Sequence, residues 1–199
     1  MKINLTQILI IGTIVVGGGI LLLLISQKGS DIESKYREIV DVFAVAKEVG
    51  LDEEQFKKDI DSVEVHNQVA ESKKDAEKRL NGQISTPVIF LNGERYSDGG
   101  TIDELVNGLK REIDTKLAES EGKPLVEEFY DYNCIHCSTL EEPLRIAMSS
   151  FGDKIVFEKK QLPFLRTSST TYAYAAVAAE RQGKLTEFSQ LLFKKIHNK

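Results

Sequence analysis

The chain has two cysteines in 199 residues, and it places them together as Cys134-Ile135-His136-Cys137, where an apolar strand hands over to a helix. "LVEEFYDY" reads as a strand over Val126 to Tyr130. Cys137 to Ser150 reads as a helix with an expected kink at Pro143. "KIVFEKKQLP" supplies another strand, Ile155 to Lys159. Strand, helix and strand in this order predict a parallel βαβ unit with a right-handed crossover. A cysteine just ahead of such a helix has its sulfur facing unpaired backbone N–H groups and the positive end of the helix dipole. Both favour thiolate, which lowers a cysteine pKa from ~8.5 towards ~3.5–7.5. His136, if protonated or hydrogen-bonded, adds to this. Cys134 then reads as a nucleophile, and the more buried Cys137 as the thiol that resolves a mixed disulfide.

Two rival uses of the pair stand beside this one. Cys134, His136 and Cys137 are all metal-ligating types, but zinc normally takes a second ligand pair, and His66 and His197 form no obvious partner motif. A structural disulfide gains most by closing a long loop, and this loop is minimal. The spacing therefore points towards redox chemistry.

The N-terminus bears on the compartment. "ILIIGTIVVGGGILLLLIS", Ile8 to Ser26, carries no charge. About 20 apolar residues at ~1.5 Å each cross a hydrocarbon core. Lys2 and the amino terminus precede it, an orientation with the N-terminus in the cytoplasm and the remainder outside. A cleaved signal peptide is the alternative, although "LLISQKGS" is a poor cleavage site. The expectation is an anchor and linker over residues 1–29, followed by one folded domain over 30–199. Outside the cytoplasm thiols tend to pair. The composition, 41% hydrophobic and 29% charged with a net charge of −5, is that of a folded protein without a basic stripe. It argues against nucleic acid as a partner.

Between anchor and cysteines the periodicity predicts three helices, then a hairpin, then a helix. "KYREIVDVFAVAKEVG" repeats Ile39, Val42, Phe43, Ala46 and Val49 at helical spacing and stops at Gly50. "LDEEQFKKDI" restarts with Asp52 as N-cap and Gln55 three residues on. Glu64 to Gly82 is a third helix with a charged face read as solvated. Val88 to Leu91 is a short strand, Asn92-Gly93 a two-residue turn signal and Glu94 to Tyr96 the return strand. "TIDELVNGLKREI" opens on a Thr101/Glu104 capping box and carries Ile102, Leu105, Val106, Leu109 and Ile113 on one face. Asp114 to Pro124 reads as a polar linker. The hairpin is too small to stand alone, so the two halves are expected to share one sheet.

Segment 124–199 resembles the DsbA-like branch of the thioredoxin superfamily. "EFYDYNCIHC" looks like that family's active-site entry, "FEKKQLPF" like its following strand, and "AYAAVAAERQGKLTEFSQLLF" like its helical insertion. Segment 36–113 resembles the other half: "AKEVGLDEEQFKKDI" looks like the rest of the insertion, "STPVIFLNG" the strand with the cis-proline, and "TIDELVNGLK" the terminal helix. The order is reversed, because the cis-proline half, 30–113, precedes the cysteine half, 125–199. The resemblance thus implies an α/β, thioredoxin-like sheet with a helical insertion, circularly permuted through a linker over 114–124. Pairing of the halves within one chain is favoured over exchange between two chains or a fragment of tandem domains.

The resemblance also implies roles. Cys134 matches the nucleophile, Cys137 the resolving cysteine, and His136 the histidine that steadies the thiolate. Ile135 departs from the proline common in oxidising members. Thr86 and Pro87 match the cis-proline loop, whose backbone edge receives a substrate strand. Glu128 matches a buried acid beneath the site, with a pKa raised by burial and a part in relaying the proton of Cys137. Its neighbour Glu127 alternates to the opposite face; solvent or sheet-face packing is its plain reading. Asp131 and Tyr132 are as readily structural as functional. The implied activity is thiol-disulfide exchange with extracytoplasmic proteins, in the oxidase direction, by a membrane-anchored enzyme that needs no cofactor and is reset by a redox partner. A reductase, or a tethered peptide-binding module with idle cysteines, is the alternative.

Overall fold

A computed structural model describes residues 39–97, 100–119 and 122–197. The expected anchor, Ile8 to Ser26, lies outside them; no described helix is long and apolar enough to cross a membrane. Val40–Lys199 form one compact unit.

Four strands among the described residues build one sheet in the order β2-β1-β3-β4: β1 is Val88–Leu91, β2 Glu94–Tyr96, β3 Leu125–Tyr130 and β4 Val156–Gln161. β1 and β2 form the expected hairpin, with Asn92 and Gly93 both at positive φ (50° and 85°), which this tight turn demands. β3 and β4 run parallel, as the βαβ reading requires. The halves meet where β1 pairs antiparallel with β3, from Val88 opposite Phe129 to Leu91 opposite Val126. Among the described residues seven α-helices surround the sheet: α1 Val42–Glu48, α2 Glu53–Ile60, α3 Val63–Arg79, α4 Ile102–Glu119, α5 Ile135–Ser149, α6 Thr167–Arg181 and α7 Leu185–His197.

Strand alternation sends Ile89, Leu91 and Val126 to one face, where they pack on Val106, Leu109 and Ile113 of α4 and Leu140 and Leu144 of α5. Val88, Phe90 and Phe129 face the other way onto Ala76 of α3 and Leu80 just beyond its end. With both faces covered, β1 is buried at every residue, which is why it reads as an unbroken apolar run. A third cluster joins α1, α2, α6 and α7 around Val45, Phe56, Tyr172, Phe188 and Leu192.

Several boundaries differ from the sequence reading. α1 begins after Asp41, whose carboxylate accepts from the Phe43 and Ala44 N–H groups; Ile39 is 68% exposed and belongs to no core face. β4 starts at Val156 and runs two residues past Lys159. α4 does not fray at Asp114. It continues to Glu119 because Leu117 extends the apolar stripe and Lys116 pairs with Glu112 and Glu119 at 3.7 and 3.9 Å. The connection to β3 is therefore residues 120–124, not 114–124. The Thr101/Glu104 box forms as expected, with Thr101 Oγ1 accepting the Glu104 N–H at 3.2 Å and the Glu104 carboxylate accepting the Thr101 N–H at 2.9 Å.

The charged face of α3 is not wholly solvated. Arg79 lies 3.7 Å over the Phe90 ring and grips Glu127 with two N–H groups, at 2.9 and 2.7 Å. Glu127 is buried and held below the usual carboxylate range, first by the Arg79 bond and also by Lys160, with burial opposing. Of the two readings for Glu127, sheet-face packing is the one realised. Removing one member of a buried pair leaves the other charge uncompensated, at a cost of roughly 3 kcal/mol. Arg79→Met is therefore expected to lower unfolding stability by about 3 kcal/mol, read from urea midpoints; a loss under about 1 kcal/mol would show that Lys160 alone neutralises Glu127.

Candidate active site

Cys134 ends the loop after β3 and is the N-cap of α5, with extended backbone (φ −84°, ψ 115°). Its sulfur accepts the Cys137 N–H at 3.4 Å. The loop is held by Asp131, which is buried. One of its oxygens accepts the Asn133 N–H and the Ser169 hydroxyl, both at 2.8 Å, and the other accepts the N–H groups of Phe164 and Leu165 at 2.9 and 3.0 Å. Asp131 thus ties the loop after β4 to the cysteine loop. Its role is structural, as is that of Tyr132, whose buried hydroxyl meets Ser189 at 2.6 Å and Tyr130 at 3.2 Å.

Antiparallel pairing of β1 with β3 brings the Thr86–Pro87 loop to the same end of the sheet. The Thr86–Pro87 bond is cis, as expected, and the Cys134 thiol lies 3.4 Å from the Thr86 carbonyl oxygen, to which it donates. Cys134, Cys137, Thr86 and Pro87, spread over both halves in sequence, therefore meet in space.

The two thiols are free and electrostatically unlike. Cys134 is lowered to about 5, chiefly by the hydrogen bond that the Cys137 thiol donates, with burial opposing. The Thr86 side chain and the backbone N–H groups of Cys137 and His136 add to the lowering. The buried Thr86 hydroxyl completes no hydrogen bond of ordinary geometry among the described residues, so the amide contacts are the firmer anchors of the sulfur. The expected help from His136 comes through its amide; its imidazole is exposed. Cys137 is fully buried, and desolvation pushes it far above the usual thiol range. A sulfur that is thiolate near neutral pH thus sits beside a thiol that keeps its proton.

Glu128 lies on the same sheet face beneath the pair. It is 1% exposed, and Oε1 has no hydrogen-bond partner. Burial raises it to about 7, against the opposing charge of Lys159. Lys159 is its neighbour across the parallel register, at 4.0 Å, and also binds the buried Glu141 of α5. Burial disfavours the Lys159 charge, yet Glu128 and Glu141 outweigh it and raise the lysine above its usual range. Two carboxyls therefore share one ammonium group under the cysteines, an arrangement able to store a proton. The sequence reading found Glu128 and missed both companions. Glu141 stands four residues after Cys137, so helical spacing could have placed it beneath the sulfur. Lys159 becomes adjacent only once the β3–β4 register is known. Among the described residues no group of three or more His, Cys, Asp or Glu is arranged to hold a metal ion.

No curated protein matches the chain. A thioredoxin family model matches residues 21–111, the stretch that holds the cis-proline loop, β1, β2 and most of α4, and stops short of the cysteines. That match supports a thioredoxin-superfamily domain, and the mixed α/β sheet with its covering helices fits a thioredoxin-like fold.

Proposed function

We propose that the chain is a membrane-anchored, extracytoplasmic thiol-disulfide oxidoreductase that acts through Cys134 and Cys137, with the halves of a DsbA-like domain in circularly permuted order. The thioredoxin-like domain makes redox chemistry at a thiol pair the natural class of function. The observation that carries the finer reading is the opposed pair, Cys134 held at about 5 and Cys137 far above the usual range. The uncharged stretch Ile8 to Ser26 supports the anchor and the location of the domain outside the cytoplasm.

In this reading the resting enzyme carries the Cys134–Cys137 disulfide. A substrate thiolate attacks the sulfur of Cys134. The bond between the cysteines breaks, a substrate–Cys134 disulfide forms, and Cys137 leaves with the electron pair. Cys137 takes up a proton, for which Glu128 is the nearby acid. A second substrate thiolate then attacks the substrate sulfur of the mixed disulfide and releases Cys134 as thiolate. The substrate dithiol has become a disulfide, and the enzyme disulfide a dithiol. A redox partner, itself reduced in turn, restores the disulfide. A low pKa makes Cys134 a good leaving group and favours the reduced form, which is the oxidase direction. The backbone beside Pro87 offers an edge on which an extended substrate segment can pair.

Equilibration with glutathione buffers, scored by thiol alkylation and mass, is expected to give a potential near ~−120 mV; a value at or below ~−270 mV would replace the oxidase with a reductase. Cys134→Ser should abolish turnover. If the unsubstituted protein shows no turnover and Cys134→Ser keeps its affinity for reduced peptide, the peptide-binding alternative takes over.

Thiolate absorbance of the reduced protein should titrate near pH 5 and vanish in Cys134→Ser. The folded pKa lies below the unfolded value of ~8.5. The stabilisation from Cys134 is therefore complete above pH ~8.5, shrinks as the pH falls, and is gone below about 5. Denaturation midpoints of the reduced protein and of Cys134→Ser should separate over that window and converge below it.

Glu128→Gln removes the acid that titrates at about 7. Exchange rates should fall by on the order of 10²-fold and lose their inflection near neutrality. An unchanged pH profile would assign the proton to another group.

A further inference from the structure

A cleft of ≈ 790 Å³ lies away from the cysteines, along the outer edge of β4. Among the described residues β4 has a neighbour on one side only. The N–H groups of Val156 and Leu162 turn inward, donating to the carbonyl oxygens of Pro124 and Tyr130 at 2.9 and 2.8 Å. Alternation then points the backbone of Phe157, Lys159 and Gln161 outward, into the cleft that all three line. The Gln161 carbonyl accepts from the Ser72 hydroxyl at 2.7 Å. The outward N–H groups have no backbone partner among the described residues.

The shape of the cleft limits what can pair there. α3 and α6 wall one side, through Gln68, Glu71 and Glu180, and α5 and α7 wall the other, through Arg145 and Thr186. An edge recessed between helices cannot reach the same recessed edge on a second copy. A helix has already spent its backbone donors and acceptors internally and is about 10 Å wide. A single extended segment fits both the hydrogen-bonding pattern and the recess, and mates with an open edge by strand addition.

Charge narrows the choice further. Arg145 is bound by Glu142 at 2.7 Å, Lys160 by Glu127 at 2.6 Å, and Lys159 by Glu141. Glu71 and Glu180 line the cleft without a cationic partner among the described residues. The charge left uncompensated on the walls is negative.

We propose that the open edge of β4 is a second binding site, one that takes a single extended polypeptide segment with Lys or Arg at alternate positions as a fifth strand. It lies apart from the edge beside Pro87, and it stands whether or not the cysteines are catalytic. Lys159 and Glu141 line the cleft from one side and face Glu128 from the other, so an occupant covers the polar companions of the buried acid.

The test uses the full chain with a synthetic seven-residue probe of sequence KTKVKTK, acetylated and amidated. Two controls carry N-methyl groups on one or the other alternate set of its amides. Amide hydrogen exchange is followed residue by residue. The expected result is slowed exchange at Phe157, Lys159 and Gln161 with the probe and with one N-methylated control, and no effect from the other. The Glu71→Gln/Glu180→Gln variant should bind the probe about fivefold more weakly, which corresponds to about 1 kcal/mol. Unchanged exchange at those amides would overturn the proposal. So would equal binding of the two N-methylated controls, which would mean attraction by charge without strand pairing. Full-strength binding to the double variant would overturn the basic character of the segment.

Discussion

Everything at the candidate site depends on four residue pairs, Val88 to Leu91 against Phe129 to Val126. Among the described residues this antiparallel contact is the one place where the two halves share a sheet. It aligns Thr86 with Cys134, sets Ile89 opposite Glu128, and seats Phe90 under the guanidinium of Arg79, which in turn neutralises Glu127. A slip of one residue would turn Phe90 and Ile89 to the wrong faces, break both cores and move the cis-proline loop off the sulfur. Burial of β1 on both faces specifies the register, so the hydrophobic packing also sets the geometry of the cysteine pair.

Two adjacent glutamates show how a strand separates identical chemistry. Glu127 faces α3, meets Arg79 and Lys160, and stays ionised. Glu128 faces α5, has one ammonium group at 4.0 Å shared with Glu141, and rises to about 7. The difference is not in the side chains but in how many cations each face brings to a dry position. One glutamate is a structural counter-ion, and the other is poised to exchange a proton at neutral pH.

Much of this was legible in the residues. Asp52, Thr101 with Glu104, Asn92-Gly93 and the cysteine at a strand-to-helix junction are local signals, and each forms as its chemistry requires. The run "VIFL" marked a short strand, and the structure buries it on both faces. Boundaries failed where tertiary contacts decided them. Leu117 extends α4 only because the sheet-face core continues beneath it, and Ile39 looks like a core residue in a helical window yet has no cluster to join. Lys159, Glu141 and the placement of Arg79 depend on register and on packing between elements distant in sequence. The open edge of β4 is likewise a property of strand order, which no window of residues encodes.

The helical cluster that joins α1 and α2 to α6 and α7 has a consequence for how the chain comes together. The backbone N–H of Val40 donates to the Tyr172 hydroxyl across 132 residues, Asp52 and Gln182 bond across 130, and Lys184 reaches the Val49 carbonyl across 135. The tie from Asn92 to Leu125, by contrast, spans 33. Since loop-closure entropy grows with the logarithm of length, docking the cap costs about 1 kcal/mol more than joining the sheet. The sheet is the local part of this fold, and the helical cluster is where α1 and α2 must find α6 and α7 across most of the described residues.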